Sequence, residues 1–212
     1  MDSLKYTFKD NIPVINCSFC GKCQDFIETK DYININRGCC WHFPKYNLMD
    51  LKNIMKINEK FVRQLFTLKD AEISQYSIKI LGKYYENEYI EYASNKIASI
   101  ETSNTFDDKL HFKVCHFFGE NGCKIDFCLR SHQCNLYLCR EIVNAIGIHS
   151  SLYKKERQDY FSYCYYYDKH IEYALKENQV DFVKDYSKAL EIIKSIDIPE
   201  FDPQYLQEIQ FF

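Results

Sequence analysis

The residues of this sequence that are best suited to chemistry are its cysteines. The chain contains 11 of them in 212 residues. All but Cys164 fall in two windows, 17–40 and 115–139. Thiolates are soft ligands that bind zinc and iron–sulfur clusters. We therefore predict a site for Zn²⁺ or for an iron–sulfur cluster, with 4Fe-4S among the candidates. Its predicted ligands are Cys17, Cys20, Cys23, Cys39, Cys40, Cys115, Cys123, Cys128, Cys134 and Cys139.

Disulfides are a poor explanation for these cysteines. An odd number excludes complete pairing. Residues 1–14 show no basic region followed by an apolar run, so the sequence predicts no signal peptide. It also has no run approaching the ~18 apolar residues of a membrane span. We therefore expect a cytoplasmic protein whose thiols are reduced and which does not associate with a membrane.

The first window has the closest spacing. It reads Cys17-Ser-Phe-Cys20-Gly-Lys-Cys23 and is followed later by the pair Cys39-Cys40. Two intervening residues let neighbouring thiolates converge on one metal through a tight turn, and Gly21 can adopt the positive φ that such a turn often needs. This triple spacing is typical of ferredoxin ligands and also occurs in zinc clusters. It indicates a metal more clearly than it indicates which metal.

In the second window, Gly119 and Gly122 separate the first two cysteines, and Cys134 and Cys139 lie near a predicted helix start. The dipole at a helix N-terminus stabilises a thiolate. Three histidines stand next to cysteines, and their imidazoles are alternative ligands or supporting groups. They are His42, His116 and His132. By contrast, Cys164 lies on an apolar helical stripe, where packing is the better interpretation.

Together the two windows resemble the CxxCxxCC family of zinc- or iron-chelating proteins, also called YkgJ-like. The matching residues are Cys17, Cys20, Gly21 and Cys23, then Cys115, Phe118, Gly122, Cys123, Ile125, Arg130 and Cys134. The end of the second window, Cys134-x-x-Tyr-x-Cys139, is similar to the cysteine pattern of flagellin lysine methylases. The chain departs from the family where Gln24 replaces an adjacent cysteine and Ser131 replaces a proline. The resemblance covers residues 17–140 and implies metal chelation.

Periodicity predicts a single domain, 1–212, that is mainly α. Helices would pack around metal-organised loops, with at most a short strand or hairpin. The expected order is an irregular first cysteine window (17–47), a helical middle (48–110), the second window (111–140) and C-terminal helices (141–212). Within the middle, residues 48–66 predict a helix with Asn47 as N-cap. Residues 71–100 allow either a helix or a hairpin turning at Glu86-Asn87. Asp202-Pro203 predicts a last helix start.

Three functions remain open at this point. The first is metal storage, delivery, sensing or redox chemistry. The second, implied by the methylase similarity, is a protein-modifying enzyme that uses an iron–sulfur cluster and S-adenosylmethionine. The third is an interaction module in which the metal is structural and the tyrosine-rich C-terminal helices bind a protein partner. A net charge of −3 gives no electrostatic reason to expect a nucleic acid partner.

Overall fold

The computed structural model describes residues 2–18, 43–96, 108–119 and 122–211. Its α-helices are α1 (Leu48–Leu65), α2 (Glu86–Lys96), α3 (His132–Asn135), α4 (Arg140–Ala145), α5 (Ser150–Glu177) and α6 (Phe182–Ser195). Its strands are β1 (Asp2–Lys9), β2 (Ile12–Cys17), β3 (Lys45–Tyr46), β4 (Ala71–Ser74), β5 (Ser77–Ile80), β6 (Lys83–Tyr84), β7 (Lys113–Val114), β8 (Phe118–Gly119), β9 (Gly122–Cys123) and β10 (Ile209–Phe211). Short 3-10 helices span Asp108–Phe112, Phe127–Leu129 and Gly147–His149.

The prediction of a mainly α fold is wrong. About 53% of the structure is helical and 20% is strand, which makes the fold mixed. The strands form small antiparallel sheets with orders β10-β1-β2, β3-β5-β4, β6-β7 and β8-β9. Most of these strands have two to four residues. Such short segments leave little periodicity to detect, so sequence patterns favoured the longer helices.

The hairpin at the N-terminus is an element that the sequence did not predict. Strands β1 and β2 pair from Leu4↔Cys17 to Lys9↔Ile12. Between them Asp10 and Asn11 have φ of 52° and 60°. Two successive positive φ angles define the two-residue turn that fits the twist of a hairpin, and Asp and Asn tolerate them. This Asp-Asn pair was the signal that the sequence interpretation missed.

Helix α1 confirms the prediction made from periodicity. It begins after Asn47, whose extended backbone and N-terminal position make it the N-cap. The backbone N–H of Asn47 donates to Asp50 Oδ2 at 3.1 Å. The helix bends at Asn58, where φ is −151°. There the side-chain oxygen of Asn58 accepts the N–H of Phe61 at 2.9 Å and starts the second helical segment.

The middle of the chain contains both a hairpin and a helix, the two alternatives for residues 71–100, but the hairpin turns earlier than the sequence suggested. Strands β4 and β5 form a hairpin whose last pair is Ser74↔Ser77. Glu86, where the hairpin alternative placed its turn, begins α2. The expectation of a helical middle is therefore wrong between Ala71 and Tyr84. The expected helix at Asp202-Pro203 is also absent, because residues 201–208 have no regular secondary structure and lead into β10.

Helix α5 supplies much of the main core. Its buried side chains include Tyr153, Tyr160, Cys164 and Ile171, as its apolar stripe predicts. The core continues from Leu4 in the N-terminal hairpin to Phe211 in β10. Strand β10 pairs with β1, so the two ends of the described chain meet in one sheet. Among the helices described, none has the length and apolar character needed to cross a membrane.

Candidate functional site

The second cysteine window is folded into three small elements. Cys115 follows β7 directly, Cys123 ends β9, and Cys134 lies in the single turn of α3. The hairpin of β8 and β9 pairs Phe118 with Cys123. Gly122, the first residue of β9, adopts φ of 101°, a backbone conformation that strongly favours glycine. The hairpin therefore carries Cys123 back towards Cys115.

These three thiols, called here the thiol group (Cys115, Cys123 and Cys134), lie close enough for their charges to interact. Burial is the main reason why the pKa of Cys115 rises to about 11. Negative charge on Cys134 and on Cys123 would raise the pKa of Cys115 further. Burial also raises the pKa of Cys134, with a contribution from Cys123. The structure therefore brings together thiols that are 19 residues apart at the limits of the group.

Two polar neighbours of Cys134 favour the thiolate form, although burial opposes them. Ser131 Oγ donates to Cys134 Sγ at 3.5 Å, and this contact lowers the pKa of Cys134. The charge of Arg130 acts in the same direction. Arg130 is held in place because its Nε donates to the Ile125 carbonyl at 3.0 Å and its guanidinium stacks 4.0 Å from the Phe127 ring centroid. Burial nevertheless outweighs these effects, so the thiol is protonated at neutral pH.

Tyr46 lies near the thiol group and was not anticipated from the sequence. Its side chain is completely buried. Burial raises the pKa of Tyr46 well above its usual value, and the nearby Cys134, Asp50, Cys123 and Cys115 raise it further. The Tyr46 hydroxyl donates to the Leu129 carbonyl at 3.2 Å. An aromatic residue in a two-residue strand carries no chemical signal in the sequence, so only the fold could reveal its position.

Cys17, from the first cysteine window, lies on a strand that contacts the element carrying Cys134. This residue ends β2, and α3, which carries Cys134, packs against β2. Cys17 itself is partly buried against the main core. The predicted ligands Cys20, Cys23, Cys39 and Cys40, together with His42, lie outside the described residues. Their role in metal binding therefore stays a prediction.

Two other predicted ligands occupy separate elements. Cys128 lies in the 3-10 helix Phe127–Leu129, and Cys139 is the N-cap of α4. Both are partly buried. Cys139 precedes a helix N-terminus, as the sequence suggested, whereas Cys134 lies within a four-residue turn. Their participation in a metal site also stays a prediction.

The two described histidines of the cysteine windows bind carboxylates. His116 Nδ1 lies 3.0 Å from Asp70 Oδ2 near the surface. His132 is buried, and its Nδ1 lies 2.9 Å from Asp50 Oδ1. Burial alone would lower the pKa of His132, but the Asp50 carboxylate outweighs it and raises that pKa. The sequence identified Asp50 only as an acidic residue in the first turn of α1.

The described thiols are neighbours, yet they do not form a finished ligand set. Across 2–18, 43–96, 108–119 and 122–211, no three His, Cys, Asp or Glu side chains are arranged so that they could hold a metal ion. In chemical type the donors suit Zn²⁺ or an iron–sulfur cluster, because they are thiols in a buried and largely apolar setting. If the sulfurs of the thiol group approach one another, these thiols can lose their protons and bind a soft metal.

Comparisons of the chain with protein-family models, with curated proteins and with solved structures give no match. The resemblance to the YkgJ-like family therefore rests on the quoted cysteine pattern alone and remains a prediction.

Proposed function

We propose that this chain is a cysteine-rich metal-binding protein that holds zinc or an iron–sulfur cluster. The observation that supports it best is the convergence of Cys115, Cys123 and Cys134 from three different elements. Three neighbouring thiols from separate elements are more typical of metal ligands than of packing cysteines. Cys17 lies on the strand that packs against α3, so it is a further candidate to join them.

Metal binding at this position would complete the local structure. Burial keeps the Cys115 and Cys134 thiols protonated, so a metal must displace their protons to bind. The resulting thiolates would lie near Arg130, whose positive charge partly balances theirs. When bound, zinc would supply structural cross-linking, and an iron–sulfur cluster would supply electron transfer.

Anaerobic purification, followed by an absorption spectrum and metal analysis of the same sample, tests the proposal. A colourless protein with stoichiometric zinc identifies a zinc site. A brown protein with iron and acid-labile sulfide identifies a cluster. Cys115→Ser and Cys134→Ser should each lower the metal content, whereas Cys164→Ala should leave it unchanged. Cys164 is the matched control because it is buried in the main core. Full metal content in both serine variants, or wild-type protein that binds neither metal after reconstitution, would contradict the proposal.

A second role as an interaction module is supported by the surface of α5. Tyr165, Tyr166 and Tyr173 are 68%, 66% and 64% exposed. Exposed tyrosines are common at protein interfaces because they combine an apolar ring with a polar hydroxyl. In this role the metal would be structural and α5 would bind a protein partner. A pull-down in which Tyr166→Ser loses a partner that Tyr205→Ser retains would support it.

A further inference from the structure

Asp50 joins two elements that are far apart in the sequence. Its Oδ1 accepts the backbone N–H of His132 at 2.8 Å and faces the ring Nδ1 of His132 at 2.9 Å. Its Oδ2 accepts the N–H of Asn47 at the start of α1. The Asp50 and His132 side chains are each only 5% exposed. One buried carboxylate thus ties the N-terminus of α1 to the first residue of α3.

Helix α3 needs such an external anchor. It has four residues, and a single turn is not stable by itself because nucleating a helix costs more than one turn returns. Its orientation must therefore come from contacts outside it. In the described structure these include the Asp50 carboxylate at His132, the hydrogen bond from Asn135 Nδ2 to the Phe127 carbonyl, and the packing of α3 on β2.

Cys134 follows His132 by two residues in the same turn. Its N–H donates to the Ser131 carbonyl at 2.9 Å, and its sulfur accepts from Ser131 Oγ. The direction of the Cys134 sulfur is therefore set by the orientation of α3. Rotation of this turn would point the thiol away from Cys115 and Cys123.

We propose that Asp50 is a positioning residue for the thiol group, because its carboxylate holds α3 in the orientation that presents Cys134 to a metal. This inference rests on the proposed metal-binding function. It distinguishes Asp50 from Asp168, which accepts the N–H of Met49 at the same end of α1. Both carboxylates serve the N-terminus of α1, but the contacts to α3 come from Asp50.

The test uses the full chain, reduced and stripped of metal under anaerobic conditions, and titrated with Co²⁺. The thiolate-to-Co²⁺ charge-transfer band grows with the number of bound thiolates, and competition with Zn²⁺ gives the affinity. Asp50→Ala should weaken Zn²⁺ binding ~10- to 100-fold, the range typical for groups that orient a ligand, and should lose the same band intensity as Cys134→Ser. Asp50→Asn should weaken binding less, because its single amide oxygen can still accept one of the N–H groups that Asp50 binds. If the wild-type chain purifies with an iron–sulfur cluster, cluster occupancy after reconstitution replaces the Co²⁺ band.

A double-mutant cycle sharpens the result. Asp50→Ala combined with Cys134→Ser should bind no more weakly than Cys134→Ser alone, because the two changes remove the same ligand. Asp168→Asn, the matched control, should leave the band and the affinity unchanged. Far-UV circular dichroism confirms that each variant is folded, and Asp50→Asn serves if Asp50→Ala does not fold.

Two results would overturn the inference in different ways. Folded Asp50→Ala with an unchanged band and affinity would show that Asp50 is only structural, while leaving the metal site intact. Wild-type protein that binds neither Co²⁺, Zn²⁺ nor a cluster would overturn the proposed function and the inference with it.

Discussion

The environment of the Asp168 carboxylate disfavours its charged form. Burial is the main cause that raises its pKa from the usual 3.8 to about 7, and the charge of Asp50 adds to the shift. The hydrogen bond from the N–H of Met49 opposes it. Because the folded-state pKa is the higher one, the folded protein binds the proton more tightly between these two pH values. Asp168 therefore makes the protein less stable as the pH rises from about 4 to about 7.

We expect Asp168→Asn to remove this pH dependence. The amide oxygen can still accept the N–H of Met49 but carries no charge. At pH 7.5 the substitution should raise the free energy of unfolding by about 1–2 kcal/mol, a value reduced from the full shift because Asp168 is partly exposed. At pH 4 it should change little. Urea denaturation at the two pH values measures this.

Asp159→Asn is the control for Asp168→Asn. Asp159 lies on the same helix, but its side chain is 42% exposed and pairs with Lys155 in solvent. Its substitution should have a small effect at both pH values. An equal gain at pH 4 and pH 7.5 for Asp168→Asn would contradict the electrostatic explanation.

At the scale of elements, Gly82 controls how β6 and β7 approach each other just before Cys115. It has φ of 73°, and an added Cβ would lie 2.3 Å from the Val114 carbonyl oxygen and 2.6 Å from Phe43 Cε1. Gly147 also has a positive φ, of 53°, but an added Cβ would meet nothing within 4 Å. Substitutions at the two glycines therefore distinguish the cost of a left-handed backbone from the cost of a steric clash.

Gly82→Ala should therefore destabilise the protein more than Gly147→Ala. We expect a loss of about 1 kcal/mol at Gly147 from the left-handed backbone alone, and about 3 kcal/mol or more at Gly82. Because the contact is with Val114, next to Cys115, Gly82→Ala should also reduce metal content. Chemical denaturation and metal analysis provide the measurements, and equal stability losses would show that the close contact is relieved at no cost.

At the scale of the whole molecule, metal would link segments that are far apart in the sequence. If the proposed site binds metal, the free energy of binding adds to the stability of the folded state. With free metal at about 100 times its Kd, this contribution is about 2.7 kcal/mol, which corresponds to a Tm increase of ~5–10 °C for a chain of this size. Differential scanning calorimetry of metal-replete and stripped protein measures it.

The double variant Cys115→Ser/Cys134→Ser should melt at one temperature with or without metal. Cys164→Ala should keep the full difference, since Cys164 packs in the main core. Equal Tm values for replete and stripped wild-type protein would contradict the link between metal and folding.

Some features were predictable from the sequence because they are local. Helix α1 follows from apolar spacing and from Asn47 before it, and α5 follows from its stripe of buried residues. The spacing of the cysteines likewise marks the two windows. The N-terminal hairpin was equally local, in its Asp10-Asn11 turn and in the alternation of Leu4, Tyr6 and Phe8 with polar residues along β1, but these signals were missed.

By itself, then, the sequence determined the long helices and the chemical type of the candidate ligands, since both depend on residues that are near one another in the chain. Only the tertiary structure decided which of these groups meet. The contact between Asp50 and His132 spans 82 residues, and the charge interaction between Cys115 and Cys134 joins thiols from separate elements. Such long-range contacts depend on the packing of the whole core, because no local propensity can specify them.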